Sequence, residues 1–478
     1  MVSQTISVTT TQMNLRVMWR WRLLLIVVSG IVLAVVALLF LTGYVIAATN
    51  LVSAPLAPVL AQTTQFDGRY LLAASDADMV GTAYADGNLL QVAGDEDTLS
   101  LVELPLTDAS ARVIEVPASN SVASWPQITA VSSDGNRIYV VETRSPVGAE
   151  VIQVDNVFNK PDGRLLTVID LSNGLDAIEQ FTVDVGQNPI HVGVSADGEW
   201  LAIGLETEND PLVILPTASL DSAPVMHTFP LTDAAGQSVR EVHSVFWHPS
   251  GRFLAVGMGG TEIQFFAVTI SESGEVSLMP HGEPIIGFNR ITYGQFTRDG
   301  RFYLTAELNW ERLPTPIGSI LNPPGEMIAI QFDDTAAAAH REVSRVTVGQ
   351  SPEGFAINRQ EDLIVTVNMN RTYVSDGLTW IPGALFNTLS LLTFDNATGD
   401  LAVVGQPYGF EGVLPEDAMF DVDGDSLGVV IYNERETPMY PGYIEFWNVM
   451  RDDAEPRLER TAVRLPVVRG PHAMNLIP

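Results

Sequence analysis

Three glutamates recur at one place in a repeating unit. Glu142, Glu206 and Glu307 each end a short apolar run: RIYVVE, WLAIGLE and FYLTAE. Carboxylates gathered by a repeat could share a cation. The chain has no cysteine, so an oxygen-ligated ion, Ca²⁺ first, is the cofactor such a set would hold. His191, His243, Glu353 and Asp417 open other apolar runs, as does His472 near the C-terminus, while Asn368 and Asn433 close two more. Histidines beside carboxylates are material for general acid–base work. His191, His243, Glu206 and Glu307 are therefore the candidate catalytic set, and Glu142, Glu206 and Glu307 the candidate metal set. Glu142, Glu353, Asn368, Asp417, Asn433 and His472 are candidate ligand contacts. Trp310, Arg312 and Trp380, carried by long loops, join them. Each has a plainer alternative. A polar residue at a strand end can simply cap its hairpin, and a lone histidine can be a hydrogen-bonded interior residue.

What must position these residues is a series of short strands. From His243 to Val268 the chain reads as three strands separated by His248-Pro249-Ser250-Gly251 and Gly259-Gly260. Relatives of this unit recur. Asp86-Gly87, Asp134-Gly135, Asp197-Gly198, Ser250-Gly251, Asp299-Gly300, Gln360-Glu361 and Asp423-Gly424 mark seven first turns, 48 to 63 residues apart. A small or acidic residue followed by Gly suits the positive-φ corner of a tight hairpin. Seven four-stranded meanders make an all-β, seven-bladed β-propeller spanning residues 67–478. Two stretches compete for the innermost strand of the first unit, Met79 to Ala85 and the terminal HAMNLIP. The terminal strand is expected to close the ring and leave no free edge. Arg69 to Ser75 has no assigned role.

In such a fold, inner strands start and second strands end on the same face. The loops Thr143–Arg164, Asn309–Gly325, Arg371–Asn387 and Glu434–Gly442 are long and lie there, which marks it as the working face.

Before the repeats come three other segments. Residues 1–22 form a polar, Arg-containing tail. Residues 23–46 are a continuous apolar run whose 24 residues would reach about 36 Å as a helix, enough to cross a bilayer. Residues 47–66 read as a Pro/Ala/Thr-rich flexible linker. The span is too long for the core of a cleaved signal peptide, so it is expected to be a signal anchor. Arg16, Arg20 and Arg22 precede it. They place the N-terminus in the cytoplasm and the propeller outside, in a periplasm or at a cell surface.

The formal net charge is −32, and no acidic residue lies before position 49. The strand-rich part is thus strongly acidic, which excludes nucleic acid as a partner. The single lysine, Lys160, sits in a loop and offers little for Schiff-base chemistry. Asp421-Val-Asp423-Gly-Asp425 has the alternation of a calcium loop but Ser426 at the sixth position, so it reads as a hairpin turn.

Phe246 to Phe253 (FWHPSGRF) and the stretch from Ser351 to Asn433, with Asp395-Asn-Ala-Thr-Gly-Asp-Leu401 and Gly405-Gln-Pro407, resemble the repeats of the seven-bladed propeller lactonases, the 6-phosphogluconolactonase-like group. The resemblance implies the propeller fold, and lactone hydrolysis in a central funnel. Aligned on His248-Pro249, however, that family's Arg-His pair falls on His243 and Ser244, and the Asn of its Asn-Glu-Leu falls on Ala306. The expectation is therefore a membrane-anchored module that binds a protein or small-molecule partner on the long-loop face. A lactonase-like hydrolase, Ca²⁺-assisted or not, is the alternative.

Overall fold

The computed structural model describes residues 8–50, 55–310, 323–335, 340–369, 386–433, 441–451 and 455–478. They fall into two units, Met1–Ser53 and Ala54–Pro478. The first holds one helix, Val8–Asn50, within which Trp19–Leu41 is long and apolar enough to cross a membrane, with a mean hydropathy of 3.2.

The second unit is a seven-bladed propeller of four-stranded antiparallel blades, with an extra edge strand on two of them. Blade two runs Thr129–Val131, Arg137–Val141, Leu165–Asp170, Glu179–Asp184. Blades three to seven begin with the inner strands Pro189–Val194, Val242–Trp247, Ile291–Phe296, Pro352–Ile357 and Ala418–Phe420. Blade one is closed by the two ends of the unit. The terminal strand Pro471–Ile477 is its inner strand and pairs with Tyr70–Ser75, from Tyr70↔Ile477 to Ala74↔Ala473. Tyr70–Ser75, unassigned from sequence, is thus the second strand. The competing stretch around Met79 is no strand. Ala83–Asp86 is a short helix, and Gly87, at φ 70°, caps it rather than turning a hairpin.

Burial explains the sequence pattern. Second strands are sandwiched between neighbouring blades, so Phe253–Met258 and Phe302–Glu307 are buried at every position. At the outer edge of blade two, Glu179–Asp184 has no buried residue. The first turns share one device. Ser132, Ser195 and Thr297 donate hydroxyl hydrogen bonds to Asp134, Asp197 and Asp299 two residues on. Each aspartate then accepts the amide of Asn136, Glu199 or Arg301. The glycine between takes the positive φ that a side chain would resist. Asp421 plays the same part in blade seven, accepting from the amides of Asp425 and Ser426, as a hairpin turn should.

The segment read as a linker packs onto the propeller from Leu56 onward. Val59–Ala61 adds a parallel strand to the outer edge of blade seven, and Phe66 is fully buried.

Candidate functional site

The inner strands start on one face of the propeller. In four blades the residue before that strand takes a positive φ: Asn188 (47°), Arg290 (69°), Ser351 (51°) and Gly470 (84°). This recurrence makes the positive-φ corner a feature of blade architecture. Close blade approach fixes the strand starts further. A Cβ on Gly354 would lie 2.1 Å from the Glu416 carbonyl oxygen, so glycine is what lets blades six and seven meet there.

The three recurrent glutamates do not meet. Glu142 accepts from Ser119 Oγ (2.8 Å) and the Arg164 amide (2.9 Å). Glu206 pairs with Arg144 Nη2 at 2.5 Å. Glu307 accepts from the Asn289 amide and from Arg345. Each is satisfied by a backbone amide, a serine hydroxyl or a neighbouring arginine. The described acidic side chains close enough to share a metal ion are instead Asp76, Asp78 and Asp97.

Most of the other candidates also hold structure. His191 is buried, with Nε2 2.7 Å from Gln127 Oε1 and Nδ1 accepting from the Val245 amide, and burial pushes its pKa down to about 3. That is a neutral interior imidazole, not a base for chemistry at pH 7. Asn368 bonds Thr366, Thr388 and Ser390. Asp417, pushed well up by burial, accepts the Ala418 and Met474 amides and so stitches blade seven to blade one. Asn433 pairs through its backbone with Val413. Arg312 and Trp380 lie outside the described residues, as does most of the loop carrying each.

The groups that do converge come from five blades. Glu353, of blade six, is buried and pushed up to about 8 by desolvation, against the pull of Arg290. Glu416, at the start of blade seven, is raised further by burial and by Glu353 and Asp76. His472 Nε2 lies 2.8 Å from Asn120 Oδ1. Because Asn120 spends its amide hydrogens on the Ser75 and Ala118 carbonyls, its oxygen must be the acceptor, and the His472 proton sits on Nε2. Burial brings His472 down to about 4. Beside it, Lys160 Nζ contacts both oxygens of Asp78 at 2.5 and 2.6 Å. The ammonium occupies the place a cation would take among the three aspartates. Burial and the charges of Asp76 and Asp78 push Asp97 well up, while Asp76, despite burial, is held down by Lys160 and by hydrogen bonds.

An apolar cap covers this polar ring. Met79, Ala83, Leu89, Val122, Val157, Met369, Val413, Leu414 and Tyr432 pack together, with Tyr84 and Trp310 against them. The funnel anticipated from sequence is therefore closed over blades one and seven, where His472 and Asp76 are fully buried.

Blades four to six are different. Glu241, half-buried, lies 2.6 Å from His243 Nε2. Although burial opposes its ionisation, His243, Arg290 and Arg144 hold Glu241 below the usual carboxylate range. The Trp125 ring packs 5.3 Å from His243 and 6.2 Å from Trp310, and Trp310 Nε1 donates to Ser351 Oγ. Arg290, half-buried, lies over Trp125 at 5.7 Å. Its Nε is buried without a hydrogen-bond partner, and no hydrogen bond joins its guanidinium to a described residue. Sequence reasoning missed Arg290 because it weighed strand ends and long loops and not the corner that leads into each inner strand. The corner residue before each inner strand, visible at Asn188 and Ser351 too, was the signal.

No protein-family model matches the sequence, and no curated protein matches it. Solved structures share the fold. They include a periplasmic gluconolactonase of Pseudomonas aeruginosa (TM-score 0.59, 14% identity, covering 86% of this chain and 99% of that one). A 6-phosphogluconolactonase candidate of Bacteroides fragilis (0.56, 15%, 86% and 99%) and a Lactobacillus plantarum protein (0.55, 13%, 87% and 100%) are similar to the same extent. At these identities the likeness is one of architecture.

Proposed function

We propose that this protein is a membrane-anchored ligand-binding propeller, held outside the cytoplasm by its N-terminal helix, that takes a small oxyanion-bearing ligand at the channel mouth between blades four and six. The unpaired Arg290 guanidinium carries this reading. A planar fork of donors whose Nε is already desolvated is suited to the paired oxygens of a carboxylate or phosphate. The nearby acids do not oppose it. Glu353, with a pKa near 8, is mostly protonated at neutral pH and can itself donate, and Glu241 is engaged by His243 Nε2 at 2.6 Å. The Trp125 ring backs the guanidinium, and Trp310 packs against Trp125.

Hydrolysis has less support. Of the residues singled out for catalysis, His191, Glu206 and Glu307 are occupied by structural partners, and His243 is left without a second catalytic group among them.

The test is calorimetric titration of the detergent-solubilised full chain with gluconate, citrate and phosphate, alongside glucose and glucono-δ-lactone. A charge-assisted hydrogen bond contributes about 1.5–3 kcal/mol, so Arg290→Gln should weaken oxyanion binding about 10- to 150-fold. Citrate and gluconate against phosphate separates the two oxyanion sources. Binding of the uncharged compounds alone, or unchanged affinity in Arg290→Gln, overturns the reading, and steady consumption of the lactone overturns the claim of binding without turnover.

A further inference from the structure

A second feature of the long-loop face lies away from Arg290. The loops of blades one and two join above the cap into a small ribbon. Asn88 bridges to Gln153, the Leu89 amide donates to the Ile152 carbonyl, and the Val154 amide donates to the Gly87 carbonyl. Gln153 Nε2 also reaches the Asp86 carbonyl, and the Tyr84 ring meets Phe158 at 5.9 Å. The inner side of this ribbon is the cap, through Leu89 and Val157. The outer side is apolar where water should be. Ile152 is 76% exposed, Phe158 47%, Leu90 44% and Val92 37%. Side chains of this size on two paired loops form a patch, unlike single exposed residues scattered over a surface. Its border is of one sign. Asp95, Glu96, Glu150 and Asp155 are exposed, and neither residues 84–97 nor residues 147–158 contain a lysine, arginine or histidine. Two bases that reach these loops, Lys160 and Arg469, are buried and turned inward, onto Asp78 and onto the carbonyls of Ala77 and Leu90.

We infer that this ribbon is a docking surface for a basic amphipathic segment of a protein partner, whose apolar stripe covers Leu90, Val92, Ile152 and Phe158 while its lysines or arginines face the acidic border. Burial of the four side chains supplies affinity, and the one-signed border supplies orientation and partner choice. A neutral or acidic apolar segment would meet uncompensated carboxylates, so the charge selects against it. This site stands independently of the oxyanion site.

The absence of cysteine provides the assay. Ala93→Cys, exposed at the edge of the patch, carries an environment-sensitive fluorophore on the full chain in phosphatidylcholine nanodiscs. The probe is an 18-residue Leu/Lys peptide with its leucines on one helical face. The control is a scrambled peptide of the same composition. The amphipathic peptide should bind at least tenfold more tightly than the scramble at 0.15 M salt. Ile152→Ser with Phe158→Ser should remove at least tenfold of that affinity. Asp95→Asn, Glu96→Gln, Glu150→Gln and Asp155→Asn together should flatten its salt dependence. All six positions are exposed, and near-ultraviolet circular dichroism confirms that the variants keep the fold. Equal binding of the scramble, or full binding by the serine variant, overturns the proposal by showing only attraction to an acidic protein. A fluorescence response to added lipid vesicles and none to peptide overturns it as well.

Discussion

Glu353→Gln isolates the electrostatics of the channel mouth. The substitution keeps the shape of the side chain and removes only its ability to ionise. In the folded protein burial raises Glu353 from 4.5 to about 8. At about 1.36 kcal/mol per pH unit this corresponds to about 3–5 kcal/mol, the lower end allowing for relaxation around the charge. The sign follows from proton uptake. Between pH 4.5 and 8 the folded state holds a proton that the unfolded state has lost, so raising the pH across this window destabilises the wild type. Below the window the two proteins should be equally stable. At pH 9 the glutamine variant should be the more stable by most of that amount. Denaturant unfolding of the full chain at pH 4, 6.5 and 9, followed by tryptophan fluorescence, measures this. A stability difference that is the same at all three values would refute the reasoning, since a packing effect has no pH dependence. So would a variant that becomes less stable than the wild type as the pH rises.

Three further outcomes follow from other parts of the molecule. Lys160→Met breaks an ion pair whose ammonium is fully buried and should cost about 3–5 kcal/mol in unfolding experiments; in the wild type, where Lys160 is the single lysine, amine-reactive reagents should acylate it only under conditions that open the cap. His191, neutral with a pKa near 3, makes the fold lose stability as the pH falls from 6.5 toward 3, by about 3–5 kcal/mol, because the unfolded chain takes up a proton that the folded one refuses. His191→Gln should flatten that acid limb in pH-dependent melting curves. Truncation after Gly470 removes the inner strand of blade one and bares the edge of Tyr70–Ser75, so the product should elute as aggregate on size-exclusion chromatography rather than as a smaller folded monomer.

The fold was legible in the sequence because a propeller writes itself seven times. Serine or threonine, then aspartate-glycine, then a fully apolar strand is a local pattern with a local cause, and it held at Asp134, Asp197 and Asp299. Blade one was the exception, since its strands come from opposite ends of the unit. Asp86-Gly87 imitates the turn signal but caps a helix, and nothing near Tyr70 says that its partner is Ile477. That inner strands start on one face was also legible, because strand direction fixes it. The site itself was not. Glu142, Glu206 and Glu307 recur for a structural reason, the capping of loops and pairing with arginines, and recurrence cannot separate capping from chemistry. Lys160 could not be placed because its partners, Asp78 and its neighbours, are about 80 residues away in another blade. Arg290 sits at a corner position that the repeat does mark, but what sets it apart from Asn188 and Ser351 is a missing partner, and a missing partner is a property of space, not of sequence.

The most direct measurement is a crystal structure of the propeller with a bound oxyanion from the titration panel. The account predicts two ligand oxygens within hydrogen-bonding distance of the Arg290 guanidinium, with Trp125 behind it and Glu353 at its side. An oxyanion held elsewhere, with Arg290 turned onto a carboxylate of its own chain, would contradict it.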